Sequence, residues 1–492
     1  MLKNILIATI GTRDLMFQIT SGEWYNIGDD QMQDGEIIGE QLEVLADLGF
    51  GQTSFRELTQ YLLEDIEQYR SRIRPVITGK LLADQAQTLE SIYLIGTDQA
   101  EGIPQRKKDT VYSCQLIQDW IQHTHGVLAE VITLGLQGEN PSDFEQMFRW
   151  WRRVWREQIQ PQPEQSIVLC LKGCVAQTAE AGRISGLSAY GEQIQFFDFV
   201  QNTPLNRQGI PSNYTGPILG TSYLWDRTQQ QALKLWERYD YGGIEELIKP
   251  YMVQDIKGFK ALPTQISAAI AWNQGQFETF FKLAKAGLSA GAVNQGGKWW
   301  WLAYEQAQLS VVRLQQQNTT EAMLSSFRSV EGLLWLWAVE TFPDDVKALP
   351  DKYPVLDKSI CQSYPKLGHS IGFDHSFKYP GTALLQGFVL RNLLEAAIPE
   401  AATNMDFKEF WETAKIKRNT YSHRLGGLTE NEVFNAWGTD IKQQEQWEKR
   451  ILNCLNILTG QTFQRLSQAS LFCDVHERVR AAIVEYSPKL PD

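Results

Sequence analysis

The sequence predicts two parts of different class: an α/β Rossmann-like domain at the amino end and an all-α half at the carboxyl end. Three observations carry that reading. Over residues 1 to about 200, short apolar runs with strand character alternate with stretches of helical periodicity, the pattern of a parallel sheet covered by helices on both faces. A stretch rich in Pro, Gly and Asn, Thr203 to Thr221, then reads as a linker. After Leu224 almost every segment places its apolar residues at helical spacing.

Taken in order, the strands are expected at Asn4–Ile10, Ser91–Ile95, Ala129–Leu134, Ser166–Leu171 and Gln193–Phe199. The helices between them are expected at Ser54–Ile73, Asp109–His123, Ser142–Gln158 and Ala176–Ser188. The helical half opens with a compact pair, Gln229–Tyr239 and Gly243–Met252. Longer helices follow at about 296–316, 319–341, 382–397, 405–425, 430–458 and 468–486, with 342–381 as a Pro-, Gly- and His-containing insertion. The implied division is an α/β domain over 1–205, a linker and helical connector over 206–292, and a helical domain over 293–492. There is no internal repeat and no low-complexity tract.

Composition narrows the function classes. A net charge of -12 argues against a protein that coats nucleic acid, though it leaves room for a small local RNA site. The six cysteines, at 114, 170, 174, 361, 454 and 473, form no CxxC and no disulfide-like spacing, which favours a reducing cytoplasm. The opening strand-like segment is too short and wrongly flanked for a signal peptide, and no apolar run approaches the ~18 residues of a membrane span. Neither His123 with His125 nor His369 with His375 has carboxylate or Cys partners at metal spacing, so no metal site is expected. Arg149, Arg152, Arg153 and Arg156, interleaved with Trp, read as one wet basic face backed by a packed aromatic face. Arg106-Lys107-Lys108 either touches a phosphate or is simply solvated.

Three strand ends carry similar chemistry: Ile10-Gly11-Thr12-Arg13-Asp14, Ile95-Gly96-Thr97-Asp98 and Leu171-Lys172-Gly173-Cys174, the last followed by Gln177 at the start of a helix. Gly permits close backbone approach, and the hydroxyls and cations suit phosphate. Taken singly, each is ordinary turn and cap chemistry. Pooled at the carboxyl edge of one parallel sheet, they suit a phosphorylated or nucleotide ligand. GxGxxG and GxxxxGK[ST] are both absent, so neither a dinucleotide cofactor nor ATP hydrolysis is supported.

The helical half holds Arg418-Asn419-Thr420-Tyr421-Ser422-His423 near the end of a predicted helix. The guanidinium is always charged and donates in a fixed fork, and the imidazole exchanges a proton near neutral pH. One group can hold a phosphate while the other moves a proton, a minimal kit for cutting RNA without metal. Arg418 falls in the apolar stripe Phe407, Trp411, Ala414, Tyr421 and Leu425, so it either snorkels over apolar surface or faces a cleft. Glu331, on the helix over 319–341 with Glu321 and Arg328, either pairs with Arg328 or orients Arg418. A regular helix does not bring Arg418 and His423 together. Either the last turn is bent, or a second subunit supplies the partner groups.

A Gly-Thr-rich Rossmann-like half, a linker, and a helical half with Arg418-Asn419…His423 together resemble the CRISPR-associated accessory ribonucleases of type III systems. These join a CARF sensor domain to a HEPN nuclease domain. The resemblance rests on Gly11-Thr12-Arg13-Asp14, the Lys172–Thr178 segment and the Arg-Asn-x-x-x-His motif. Lys172-Gly173-Cys174 departs from the Gly-Gly-Thr-like motif often found in relatives. It implies a homodimer in which a cyclic oligoadenylate, cyclic tetra-adenylate favoured, binds across two CARF domains. The HEPN pair then cuts single-stranded RNA through Arg418, Asn419 and His423. The implied product is a 2′,3′-cyclic phosphate. The implied activator grip is Gly11, Thr12, Arg13, Gly96, Thr97, Asp98, Lys172, Gly173 and Gln177. Two other readings stand beside it: a second-messenger sensor that cuts nothing, and a ring nuclease that cleaves the cyclic activator through Thr12 and Lys172.

Overall fold

The computed structural model describes residues 4–28, 31–33, 36–200, 202–349, 352–373 and 381–488. The chain forms two compact units, one ending at Asp226 and the other spanning Arg227–Ser487.

The first unit is built on a six-stranded sheet of β1 (Asn4–Thr9), β2 (Leu89–Thr97), β3 (Ala129–Leu134), β4 (Ser166–Cys170), β5 (Ile194–Val200) and β6 (Asn213–Leu219). The spatial order is β6-β5-β4-β1-β2-β3, all parallel except β6. Alternation along β1 shows why it sits in the middle. Leu6 and Ala8 enter one core with Leu58, Leu116 and Ile117, and Ile5 and Ile7 enter the other with Met147, Trp151 and Trp155. A strand buried on both faces must be apolar at every position. The covering helices are α1 (Phe55–Glu64), α2 (Val111–His125), α3 (Phe144–Val154) and α4 (Ala176–Tyr190). α3 and α4 interlock by size: a β-carbon on Gly182 would stand 2.7 Å from the Trp151 ring. The Trp151 and Trp155 indoles donate to Thr178 O (2.9 Å) and Ser185 Oγ (3.1 Å). Arg149, Arg152 and Arg156 are exposed on the other side of α3, the solvated basic face the sequence suggests.

Two segments differ from the sequence reading. The helix expected to run to Ile73 ends at Glu64, and Ile73–Pro75 is instead a strand paired with Leu15–Gln18. Pro75 disfavours helix in the residue before it, so local chemistry overrides the apolar spacing that continues through Ile66 and Tyr69. The stretch read as a linker contains β6, antiparallel to β5. Pro217 has no N–H to give a ladder, which suits an edge strand and is what made the segment look irregular.

The second unit is predominantly helical. α5 (Trp301–Gln315) and α6 (Thr319–Thr341) pack side by side. α7 consists of an α-helical turn Met405–Glu409, a π-helical turn Phe410–Ala414 and an α-helical segment Lys415–Ser422. α8 (Gln444–Thr459) and α9 (Phe472–Glu485) follow. The single helix expected over 430–458 is broken, because Glu430–Ala436 ends before Gly438, whose φ is +139°. The 342–381 insertion contributes to a three-stranded antiparallel sheet of Val346–Leu349, Lys352–Asp357 and Thr382–Leu384, while His375 lies outside the described residues. At the centre of this unit Glu305 is wholly buried and accepts four hydrogen bonds. The donors are Trp272 Nε1 (2.7 Å), Trp301 Nε1 (2.8 Å), Ser470 Oγ (2.6 Å) and the Leu471 amide (2.6 Å). These bonds tie α5 to the approach to α9.

Replacing Glu305 with Leu strands those four donors in an apolar core. Each unpaired buried donor costs roughly 1–3 kcal/mol. We expect Glu305→Leu to lower the stability of the helical unit by at least about 3 kcal/mol, read as an earlier urea transition. Unchanged denaturation would show that the network holds nothing together.

Candidate functional site

Parallel strands end together, so β1, β2, β3 and β4 deliver their carboxyl ends to one edge of the sheet. A cleft of about 750 Å³ opens there. Gly11, Thr12, Gly96, Thr97 and Gly173 line it, so five of the nine expected ligand residues converge. The glycines are needed for backbone approach. A β-carbon on Gly11 would fall 2.5 Å from Gly173 O, and one on Gly96 would fall 2.6 Å from Cys114 Sγ. Thr97 and Thr110 clasp each other, each hydroxyl accepting from the other's amide at 3.0 and 3.2 Å, which ties the end of β2 to the start of α2. Val175, at the N-cap of α4, also lines the cleft and gives its first turn no side-chain cap. Amides of such a turn are available to an anion.

The other four expected residues lie outside the lining. Arg13 is exposed, and its carbonyl accepts from Asn26 Nδ2 at 2.9 Å. Asp98 is held by Arg56 (2.8 Å) and Arg106 (3.3 Å). Lys172 is exposed and stands 3.6 Å from Asp198. Gln177 is exposed on the first turn of α4. In their place the cleft takes Lys108, Thr110 and Thr178. Lys108 belongs to a basic run visible in the sequence, whereas Thr110 and Thr178 reach the cleft only through the fold. The Cys174 thiol at the rim is pushed up to about 11 by burial, so it is protonated at neutral pH.

Asp14 lies beneath this edge, fully buried. Its Oδ2 accepts from the Gly11 amide at 2.5 Å, while Oδ1 has no partner. Burial pushes its carboxyl up to about 7, against the opposing pull of the Gly11 hydrogen bond.

The second site is on α7. Asn404 caps its start, accepting from the amides of Asp406 and Phe407, and Asp406 is gripped by Arg450 (2.9 Å) and Asn453 (2.8 Å) of α8. The π turn at Phe410–Ala414 then shifts the face that follows. Arg418 lies over the Phe327 ring, 4.2 Å from its centroid, with Nη2 3.4 Å from Glu331 Oε2 of α6. The segment stays helical through Ser422, and His423 is its C-cap. The irregularity is therefore in the middle of the helix, not in the last turn as the sequence suggested. Ile416, Asn419 and His423 are three and then four residues apart and share an exposed face. At about 100° per residue, His423 points some 140° away from Arg418. Within one chain the two groups diverge. Leu425, just beyond, is fully exposed, and Thr319 Oγ1 fixes the following loop by donating to Leu428 O at 2.6 Å. Among the described residues no group of three or more His, Cys, Asp or Glu side chains could hold a metal ion. No helix among them is long and apolar enough to cross a membrane.

No family model matches the sequence, and no curated protein matches it. Among solved structures the chain is similar to Csm6 of Enterococcus italicus bound to cyclic hexa-2′-fluoro-hexa-dAMP. The identity is 14% and the TM-score 0.59, over 98% of this chain and 100% of that one. The likeness extends through both parts. The fold is an α/β CARF-like half followed by a helical HEPN-like half, the architecture of the type III CRISPR accessory proteins that the sequence resembles.

Asp14 gives a pH test of the sheet edge. Its native pKa, about 7, lies above the unfolded value near 3.8. The protonated carboxyl therefore stabilises the fold fully below about pH 4, and that contribution is lost as pH rises through 7. Relative to Asp14→Asn, the wild-type protein should lose on the order of 4 kcal/mol between pH 4 and 8, measured by urea denaturation at each pH. A flat difference would show that Asp14 ionises normally.

Proposed function

We propose that the chain is a cyclic-oligoadenylate-activated endoribonuclease that cuts single-stranded RNA without metal, in CRISPR type III antiviral defence in the cytoplasm. The observation that carries this is the placement of Arg418, Asn419 and His423 on one helix of a HEPN-like half, with Asn419 and His423 exposed. Support for the sensor comes from the glycine- and hydroxyl-lined cleft at the sheet edge and from the cyclic ligand carried by the Enterococcus structure.

The active form is a homodimer. Groups that diverge in one chain can converge across a twofold axis, and the face of Ile416, Asn419 and His423, with Leu425 beyond it, offers an apolar and polar surface to a second copy. In the paired site the 2′-hydroxyl of the RNA attacks the adjacent phosphorus and the 5′-oxygen leaves. The products are a 2′,3′-cyclic phosphate and a 5′-hydroxyl. His423 moves the proton, and Arg418 balances charge growing on the phosphoryl oxygens. The activator binds the sheet-edge cleft and acts through its differential affinity for two arrangements of the dimer. The sequence favours cyclic tetra-adenylate, and the Enterococcus ligand is a six-membered ring. A dose–response with cyclic tri-, tetra- and hexa-adenylate decides the ring size.

His423→Ala and Arg418→Ala should each slow cleavage of labelled RNA by roughly a hundredfold or more while leaving the protein folded. Cleavage should persist in EDTA and fail on RNA carrying a 2′-deoxy sugar at the cut site. Folded His423→Ala protein that cuts at the normal rate removes the nuclease assignment. If the chain binds activator but cuts nothing, it is a sensor only.

Lys108→Ala should shift the activator dose–response to about tenfold higher concentration, with full activity regained at saturation, because one phosphate contact is lost and the nuclease centre is intact. An unshifted curve would place the activator elsewhere.

A further inference from the structure

Glu331 stands on α6 and reaches across to α7. Its side chain is 20% exposed and that of Arg418 28%, so the pair is partly withdrawn from water. The contact is one-pronged, Nη2 to Oε2, at 3.4 Å. A close-fitting bond between these groups is about 2.7–2.9 Å and is usually two-pronged. Arg418 Nε is buried with no partner. The guanidinium is therefore placed mainly by its seat on Phe327, which itself stacks on Phe410 at 4.9 Å. Removing the carboxylate leaves that seat intact. Glu331 thus adds charge opposite the fork without fixing where the fork lies. Burial pushes its carboxyl above the usual range, while Arg418 and Lys415 draw it back. A phosphodiester arriving at Arg418 would meet a carboxylate of its own sign already there.

We propose that Glu331 is an autoinhibitory latch. It occupies and neutralises Arg418 until a phosphodiester displaces it, and so sets both the affinity for RNA and the rate without activator. This inference rests on the reading of Arg418 as the phosphate-holding group of the nuclease. A merely positioning carboxylate makes the opposite prediction, since its loss would weaken RNA binding and slow cleavage.

The test uses Glu331→Gln in the full chain, which keeps the side chain's size and an acceptor while removing its charge. Binding of a single-stranded RNA made uncleavable by 2′-deoxy substitution is measured by fluorescence anisotropy for wild type, Glu331→Gln, Arg418→Ala and the double variant. Glu331→Gln should bind about tenfold tighter, and that gain should vanish in the Arg418→Ala background. With cleavable RNA, the activator-free rate should rise several-fold, with KM falling more than kcat changes. Glu331→Ala should move in the same direction, which covers the case of poorly folded Glu331→Gln. Unchanged or weaker RNA binding, or a gain that survives Arg418→Ala, overturns the latch. If wild type binds RNA but cuts none with any activator, the nuclease reading fails, and the binding cycle still decides whether Glu331 competes for Arg418.

Discussion

At the carboxyl edge of the sheet, backbone meets backbone with no room for a side chain. Gly11 runs against Gly173, and a β-carbon on Gly173 would fall 2.6 Å from Asp14 Oδ2. Much of the first unit follows from that approach. It lets β1 and β4 end side by side, leaves a cleft floored by main chain, and seals Asp14 beneath it, where its carboxyl meets the Gly11 amide and no water. A floor of amides and small hydroxyls is suited to phosphate and sugar oxygens, because it places donors without bulk. The same crowding explains why the site is built of Gly and Thr, with Lys108 arriving from outside the strands.

The fold was largely legible because its strongest signals are geometric. β3 lies where the apolar run put it, and α6 spans the residues its periodicity marked, Thr319–Thr341. Failures occurred where partners far away in sequence decide. Ile73–Pro75 is a strand because Leu15–Gln18 is there to pair with it. β6 is a strand because β5 has an open edge. The sheet-edge residues divide by the same logic. Gly11, Thr12, Gly96, Thr97 and Gly173 lie at the strand ends themselves, so strand prediction alone brings them to the cleft. Asp98 is one residue further along, and its direction is set by Arg56 of α1, which no local pattern reveals. Lys172 precedes Gly173 but lies away from the cleft, beside Asp198 of β5.

For Arg418 the two sequence readings turn out to describe one arrangement. Its stem and guanidinium lie on apolar surface, over Phe327, and its charge meets a carboxylate. Aromatic support suits a group that must exchange one anion for another, since a ring face attracts the cation without competing for its hydrogen-bond donors. His423 has the contrary environment, at a helix end and exposed, where an imidazole can trade protons with whatever approaches.

The π turn at Phe410–Ala414 has a consequence for how this helix tolerates change over evolution. Such a turn holds one residue more than an α-helical turn, so it behaves as an insertion stored within a continuous helix. Loss of any one residue there could restore regular winding, yet it would rotate everything downstream by about 100°. Arg418 would leave Phe327, and the face bearing Ile416, Asn419 and His423 would swing with it. Substitutions along α7 can therefore accumulate one at a time, whereas its length is locked. A lineage that loses a residue there must regain one nearby before the Arg-Asn-x-x-x-His motif, still intact to the eye, points where it did.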